Sequence, residues 1–165
     1  MNKKGFTLIE LLATLVILSI IMLVAVPSTV SILEKNKKDA LISDAKRMVT
    51  MAESQIRNND TIDTVYGGFI VFKLSYLDDG SFESDPDNAT YDRDKSFVVV
   101  HKKGNASNYQ FDYYVQMIGS KRGLDLTKNT ALDSSSVVTS MQKQDAATAI
   151  KRVFGVSSPS IVYYN

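Results

Sequence analysis

Residues 6–26 read FTLIELLATLVILSIIMLVAV, a run of twenty-one amino acids in which Glu10 is the only charged side chain. A helix of this length extends about 31 Å, which matches the roughly 30 Å hydrocarbon core of a bilayer. Apolar residues fall on every side of such a helix, so it has no polar face to turn toward water. The run therefore predicts a long N-terminal helix that lipid or other protein must surround.

Two ordinary interpretations of this segment leave Glu10 unexplained. A secretory signal peptide has a small-residue cleavage site, and residues 26–28 resemble one only weakly. A plain membrane anchor explains the hydrophobicity, but lysines lie on both sides of the run and give no clear orientation. A carboxylate inside a membrane segment is costly and predicts a functional role with a partner, although near a helix end it can also reach the headgroups.

The stretch KKGFTLIELL, residues 3–12, resembles the processing motif of type IV prepilins and of the related type II secretion pseudopilins, which is a class III signal peptide. The resemblance implies that Lys3 and Lys4 supply the charge of a short leader. It implies that a prepilin peptidase cuts between Gly5 and Phe6 and methylates the new amino terminus of Phe6.

The same resemblance implies a role for Glu10 in assembly. Cleavage gives Phe6 a cationic amine, which is buried when identical apolar helices form a bundle. Glu10 of a neighbouring subunit can neutralise that amine, and a wrong register leaves both charges buried and unpaired. Pro27 lies where many pilins break the helix, and its missing amide hydrogen predicts a helix kink there.

The resemblance and the hydropathy pattern predict an α+β fold of three parts. Residues 1–5 are a leader peptide that is removed, residues 6–57 form a stem helix, and residues 61–165 form a globular head. The first half of the stem, residues 6–26, is the transmembrane segment and the filament core. The second half is amphipathic, ends at the turn signal of residues 58–60, and is predicted to pack on a small antiparallel β-sheet, as in the pilin fold.

Three segments of the head have strand character. Residues 71–77 and 97–101 are rich in β-branched and aromatic side chains, and apolar residues alternate over 109–117. Because a turn-rich segment at 102–108 separates the last two, we expect a hairpin over residues 96–118.

A second helix and a last strand are predicted near the C-terminal end of the sequence. The three serines at 134–136 are suited to cap a helix that carries apolar residues from Val138 to Phe154, and Gly155 follows it. Residues 161–164 predict a final strand.

The acidic segment between the first two strands contains weak candidates for calcium ligands, namely Asp78, Asp79, Asp85 and Asp87. Carboxylate oxygens suit calcium, but the spacing is not that of an EF-hand, since Thr90 stands where a loop starting at Asp85 needs glycine. A solvated surface loop is therefore the favoured interpretation, and no metal site is predicted.

The basic residues do not indicate a nucleic-acid site. The net charge is +1, and His101, Lys102 and Lys103 form the main basic cluster of the head. A basic strand end beside a turn is the more common meaning of such a cluster. No specific nucleic-acid partner is expected.

The sequence also lacks the signatures of an enzyme. It has no cysteine, one histidine, and no nucleophile-elbow, phosphate-loop or zinc-protease motif. We therefore predict a protein without catalytic activity and without a cofactor.

The resemblance implies a structural subunit of a type IV pilus that serves adhesion, motility or aggregation. The alternatives are a pseudopilin of a type II secretion or competence system and a membrane-anchored surface-binding protein. The implied partners are copies of itself and other pilins, the prepilin peptidase, the membrane-embedded assembly platform and the cytoplasmic membrane. Before assembly the chain would cross that membrane once with its head outside the cytoplasm, and after assembly it would lie in a surface pilus.

Overall fold

A computed structural model describes residues 5–165 as a long helix followed by a head of six strands. The helices are α1 (Leu8–Asn58), α2 (Leu74–Leu77) and α3 (Ala146–Phe154). The strands are β1 (Phe69–Lys73), β2 (Phe97–Asn105), β3 (Asn108–Ile118), β4 (Gly123–Lys128), β5 (Val137–Val138) and β6 (Ile161–Tyr164). By its internal contacts the chain divides into the units Met1–Asn36 and Lys37–Asn165.

The strands form a single sheet in the order β5-β4-β3-β2-β1-β6. Each neighbouring pair is antiparallel except β1 and β6, which are parallel. In β1, Phe69 pairs with His101 on one side and with Ile161 on the other. The predicted α+β layout is therefore confirmed, with a pilin-like long helix on a mostly antiparallel sheet.

The second half of α1 packs on one face of this sheet. Its buried apolar residues, among them Leu41, Ala45, Met48 and Ala52, recur at helical spacing. They meet alternate residues of the strands, namely Ile70, Phe72, Val98, Val100, Val115 and Met117. Because side chains alternate along a strand, the residues between them point to the opposite face.

The opposite face of the sheet is covered by α3. There Phe69, Val71, Phe97, Val99 and Leu126 pack against Ala146, Ala149 and Ile150 of α3. The sheet of the Lys37–Asn165 unit thus lies between two helices, and its central strands are buried on both sides.

The hairpin predicted for residues 96–118 is confirmed as β2 and β3, but its turn is tighter than expected. The strands pair as far as Asn105 and Asn108, so only residues 106 and 107 form the turn. Gly104, at φ +98°, permits this path, and the side-chain oxygen of Asn105 accepts the amide hydrogens of Ser107 and Asn108 at 3.1 Å each.

The strand predicted at 71–77 is wrong in its second half. The strand ends at Lys73, and Leu74–Leu77 form one helical turn. The Leu74 amide donates to the carbonyl of Ser96 at 2.9 Å, and Leu74 and Leu77 are both buried. Residues three apart share a helix face, so this turn directs both leucines to the same side, whereas an extended strand would point them to opposite faces.

The N-terminal end predicted for the second helix is also wrong. The serines at 134–136 form a 3-10 turn after Asp133, and Val138 lies in β5. The helix begins later, at Ala146, because the Asp145 side chain caps it by accepting from the Thr148 amide at 2.9 Å. The predicted end is confirmed, since Gly155 adopts the left-handed conformation at φ +67°.

The end of the stem helix and the final strand agree with the sequence prediction, whereas one strand was not predicted. The stem helix ends at Asn58, within the predicted turn signal, and the final strand forms at Ile161–Tyr164 as predicted. Strand β4 was not predicted, because its sequence GLDLTK is short and polar.

Candidate processing and assembly site

The bond between Gly5 and Phe6 lies just before the first helix. Because α1 begins at Leu8, neither residue belongs to the helix. The Phe6 side chain is exposed, and no described atom lies within 4 Å of the position that a Cβ at Gly5 would take. Both residues of this peptide bond are therefore exposed. Lys3 and Lys4, the predicted leader charges, lie outside the described residues.

Glu10 closes a capping box with Thr7 at the start of α1. The Thr7 amide and hydroxyl donate to Glu10 Oε2 at 2.9 and 2.8 Å, and the Glu10 amide donates to the Thr7 hydroxyl oxygen at 3.3 Å. This reciprocal arrangement satisfies amide groups that have no partner inside the helix. No capping box was predicted here, although the T-x-x-E pattern at 7–10 is a sequence signal for one.

The capping box leaves part of the Glu10 carboxylate open to a partner. Both bonds from Thr7 go to Oε2, and Oε1 accepts none from the residues that the structure describes. Cleavage after Gly5 does not touch Thr7 or Glu10. One side chain can therefore start its own helix and also meet a cation.

The first half of α1 presents an apolar surface on all sides. Every described residue up to Asn36 is exposed, including the large side chains from Leu8 to Leu33. The most apolar window of α1 has a mean hydropathy of 2.8, and its length and composition suffice to cross a membrane. An apolar surface this large is a binding surface for lipid or for other protein.

The helix continues through Pro27. Proline supplies no amide for the Leu23 carbonyl, and the hydroxyls of Ser28 and Thr29 bond to the carbonyls of Val24 and Ala25 at 3.2 and 3.0 Å. The kink at Pro27 stays a prediction.

Asp85, one of the calcium candidates, organises its own loop. Oδ1 accepts the amides of Asp87 and Ala89 at 2.9 Å each, and Oδ2 accepts the amide and hydroxyl of Ser120 at 2.6 Å each. Burial opposes ionisation of this carboxyl, but these hydrogen bonds, those of Ser120 foremost, hold its pKa below the usual value.

Asp87 is held by two cations. Arg122 donates from Nε to Oδ2 at 2.6 Å and from Nη2 to Oδ1 at 2.9 Å, and Lys37 donates to Oδ1 at 2.8 Å. The Asp87 and Arg122 side chains are 1% and 5% exposed. The Arg122 guanidinium, helped by Lys37, lowers the pKa of Asp87 to about 2.

Asp78 and Asp79 also hold nearby groups of the chain. Asp78 pairs with Arg93 and accepts the amides of Gly80 and Phe82, while Asp79 accepts the amide of Ser81 at 3.1 Å. The residues that the structure describes contain no cluster of three or more possible metal ligands. The interpretation of this segment as a solvated loop is wrong for Asp85 and Asp87, because both carboxylates are buried against hydrogen-bond donors.

The basic cluster is likewise engaged in the head. His101 stacks on Phe69 with ring centroids 4.6 Å apart. The ammonium group of Lys102 lies 2.6 Å from the Asp63 carboxylate. Lys103 and Lys128 both lie near the Asp112 carboxylate, at 2.5 and 3.1 Å.

A family model described as the prokaryotic N-terminal methylation motif matches residues 1–26. A search of curated proteins and a search of solved structures each found no match. The matched segment contains Gly5, Phe6 and the capping box, and it covers most of the exposed apolar surface. The chain thus carries, before its α+β head, the class III signal peptide of type IV pilins and pseudopilins.

Proposed function

We propose that this protein is a structural subunit of a type IV pilus. The observation that carries the proposal is the coincidence of the methylation motif at residues 1–26 with a helix that is exposed and apolar on all sides. A filament of identical helices buries such a surface, and so does a membrane before assembly. One segment can therefore serve both stages.

Processing is the first step of the proposed function. The prepilin peptidase cuts the bond between Gly5 and Phe6 and methylates Phe6. This processing requires the leader, with Lys3 and Lys4, to lie on the cytoplasmic side, so the single span leaves the head outside the cytoplasm.

Assembly is the second step. The membrane-embedded platform moves the apolar segment from lipid into the core of the filament, where other pilins replace the lipid. There the amine of Phe6 meets Glu10 of a neighbouring subunit, whose Oε1 the capping box leaves open. The finished filament lies on the cell surface and serves adhesion, motility or aggregation.

The mass of the assembled protein tests this function. Filaments sheared from cells should contain a chain that begins at Phe6 with a methylated amine. Gly5→Leu should accumulate in the membrane with its leader, while Thr7→Ser, which keeps the capping hydroxyl next to the same bond, should be processed and assembled. Assembled material that still begins at Met1 would contradict the proposal.

Overproduction of this chain tests whether it is a major pilus subunit. A major pilus subunit should lengthen or multiply surface filaments in proportion to its expression. A chain that is processed and methylated but never gives surface filaments is a minor pilin or a pseudopilin of a secretion or competence system.

A further inference from the structure

Two tyrosine rings lie side by side on the surface of the head. The ring centroids of Tyr66 and Tyr109 are 6.2 Å apart with an interplanar angle of 54°. The two residues are 45% and 52% exposed, and the neighbouring Val65 is exposed as well. The two rings and Val65 together form an exposed apolar patch rather than singly exposed side chains.

A buried lysine holds the two rings in place. The Lys102 ammonium lies 4.6 Å from the centroid of Tyr66 and 5.0 Å from that of Tyr109. Both carboxylate oxygens of Asp63 accept from it, at 2.6 and 2.8 Å. Because this cation already lies against both rings, the pair does not need a cationic ligand, and the rings are ordered before any ligand arrives.

The backbone fixes the same arrangement. The Gly67 amide donates to the Lys102 carbonyl at 2.7 Å, and the Lys102 amide donates to the Gly68 carbonyl at 3.1 Å. Gly67 has φ +78°, which favours glycine, and the Gly68 amide closes the turn on the Val65 carbonyl at 2.8 Å. The segment that carries Tyr66 is therefore tied to strand β2.

Tyr109 lines two small depressions, each of about 150 Å³. The lining of the first includes Lys103, Asn108 and Gln110. The lining of the second combines the polar residues Asn59, Asp60, Asp63 and Lys102 with the apolar Ile56, Ile62 and Phe111. Hydrogen-bonding groups thus lie beside the exposed ring in both depressions.

We propose that Tyr66 and Tyr109 form the platform of a binding site for an uncharged oligosaccharide. The apolar C–H face of a sugar ring packs on an aromatic ring, and amide and carboxylate groups bind the hydroxyls of the adjoining sugar units. The lysines favour no anion, because Lys102 is paired with Asp63 and Lys103 with Asp112.

The size of the platform favours a sugar over a protein partner. If each aromatic side chain offers 150–250 Å², the half-exposed tyrosines and Val65 present about 300 Å² of apolar surface. A stable protein interface has about 800 Å² on each side, of which rather more than half is apolar, so its apolar part is larger than this platform. The polar groups of the depressions beside Tyr109 suit hydroxyl groups instead.

Titration of the full chain with neutral sugars tests the site. The protein is held in micelles of a detergent without a sugar headgroup and titrated with cello-, malto-, manno- and N-acetylated chito-oligosaccharides, with binding followed by NMR and calorimetry. At least one series should bind. Tyr66→Ala and Tyr109→Ala should each lower its association constant about tenfold, equivalent to about 1.4 kcal/mol, while Tyr109→Phe should retain most of the binding.

Tyr76 provides the matched control. It is 39% exposed, lies in α2 and lines neither depression, so Tyr76→Ala should bind like the parent. Unchanged circular dichroism of the Tyr66 and Tyr109 variants would exclude unfolding as the cause of a loss. The proposal is overturned if all four series fail to bind, or if binding survives both alanine substitutions. It is also overturned if the site takes only heparin or only an apolar peptide. None of these outcomes bears on processing at Gly5.

Discussion

Arg122 and Asp87 form a bidentate ion pair inside the head, with both side chains almost fully buried. Arg122 directly precedes β4, and Asp87 lies in the loop between α2 and β2. Lys37 of α1 reaches the same carboxylate at 2.8 Å. One carboxylate therefore joins the helix, the loop and the sheet of the Lys37–Asn165 unit.

Asp87→Asn should destabilise the head strongly. The substitution removes a buried carboxylate charge that both Arg122 and Lys37 bind, and loss of one partner of a buried pair costs about 3–5 kcal/mol. Urea unfolding followed by near-ultraviolet circular dichroism measures the change. Asp94→Asn is the control, because Asp94 is 82% exposed and lies 3.8 Å from Lys73. An equal effect of the two substitutions would refute the structural role of Asp87.

The same pair predicts a loss of stability in acid. Arg122 lowers the pKa of Asp87 from 3.8 to about 2 in the folded state, so the unfolded state binds more protons between these values. The stabilisation is fully present above about pH 4 and is lost as the pH falls through about 2. The free energy of unfolding of Asp87→Asn should therefore fall less steeply over this range than that of the parent. If the free energy of unfolding falls with pH at the same slope in both proteins, the prediction is contradicted.

Gly104→Ala should destabilise the β2–β3 hairpin. A Cβ at Gly104 would lie 2.1 Å from the Asn108 carbonyl oxygen, and the residue has φ +98°. Gly80→Ala is the matched control, since Gly80 has φ +93° and nothing described within 4 Å of its Cβ position. The control should lose about 1–2 kcal/mol from backbone strain alone. Gly104→Ala should lose at least about 1 kcal/mol more from the clash, as measured by thermal unfolding.

His101 should make the docking of α3 sensitive to pH. Its ring stacks on Phe69 and packs edge to face with Phe154, with the ring centroids 5.2 Å apart. Burial of the imidazole, with a smaller contribution from Lys103, lowers its pKa below 6.5. Nearby Asp112 acts in the opposite direction. The unfolded state therefore takes up a proton first, and stability should decline as the pH falls below about 6.5.

His101→Phe keeps an aromatic ring at this position and removes the titration. Melting temperatures between pH 7.5 and pH 5 should fall less for this variant than for the parent. Hydrogen exchange of the α3 amides shows whether the loss of stability is in α3. If the melting temperature falls equally in His101→Phe and in the parent between pH 7.5 and pH 5, His101 is not the source of the pH dependence.

Glu10 has two possible roles that substitutions can separate. Glu10→Gln keeps a capping group at the start of α1 but removes the charge, whereas Thr7→Ala removes the capping hydroxyl and keeps the charge. If the charge sets the register, Glu10→Gln and Glu10→Ala should both be processed but fail to assemble, and Thr7→Ala should assemble. The ratio of sheared to membrane-bound protein at matched expression measures this. Assembly of Glu10→Gln together with failure of Thr7→Ala would assign Glu10 to capping alone.

The sequence predicted the elements whose signals are local. The all-round apolar run at 6–26, the alternation over 109–117 and the glycine after Phe154 each depend on a few neighbouring residues, and the elements they predict are present. The processing motif was equally readable, because it is a short pattern in a fixed order.

The sequence did not predict features that depend on distant residues. Asp87 looked like part of a solvated loop because its partners, Lys37 and Arg122, lie far away in the chain. Residues 71–77 have strand-like composition because they include valine and two aromatic residues, but burial of Leu74 and Leu77 against the helix layer favours a helical turn. The Tyr66 and Tyr109 platform was missed for the same reason, since two separate segments meet only around Lys102.

The parallel pairing of β6 with β1 affects the order in which the protein folds. Phe69 pairs with Ile161, so the sheet cannot be completed until nearly all of the head has been synthesised. Such long-range strand pairing is slow, whereas a helix forms from local contacts in microseconds or less. The N-terminal helix can therefore form while the rest of the chain is still unstructured. For an interval during its synthesis, each molecule has an open sheet edge beside β1, which is exposed to chaperones and proteases.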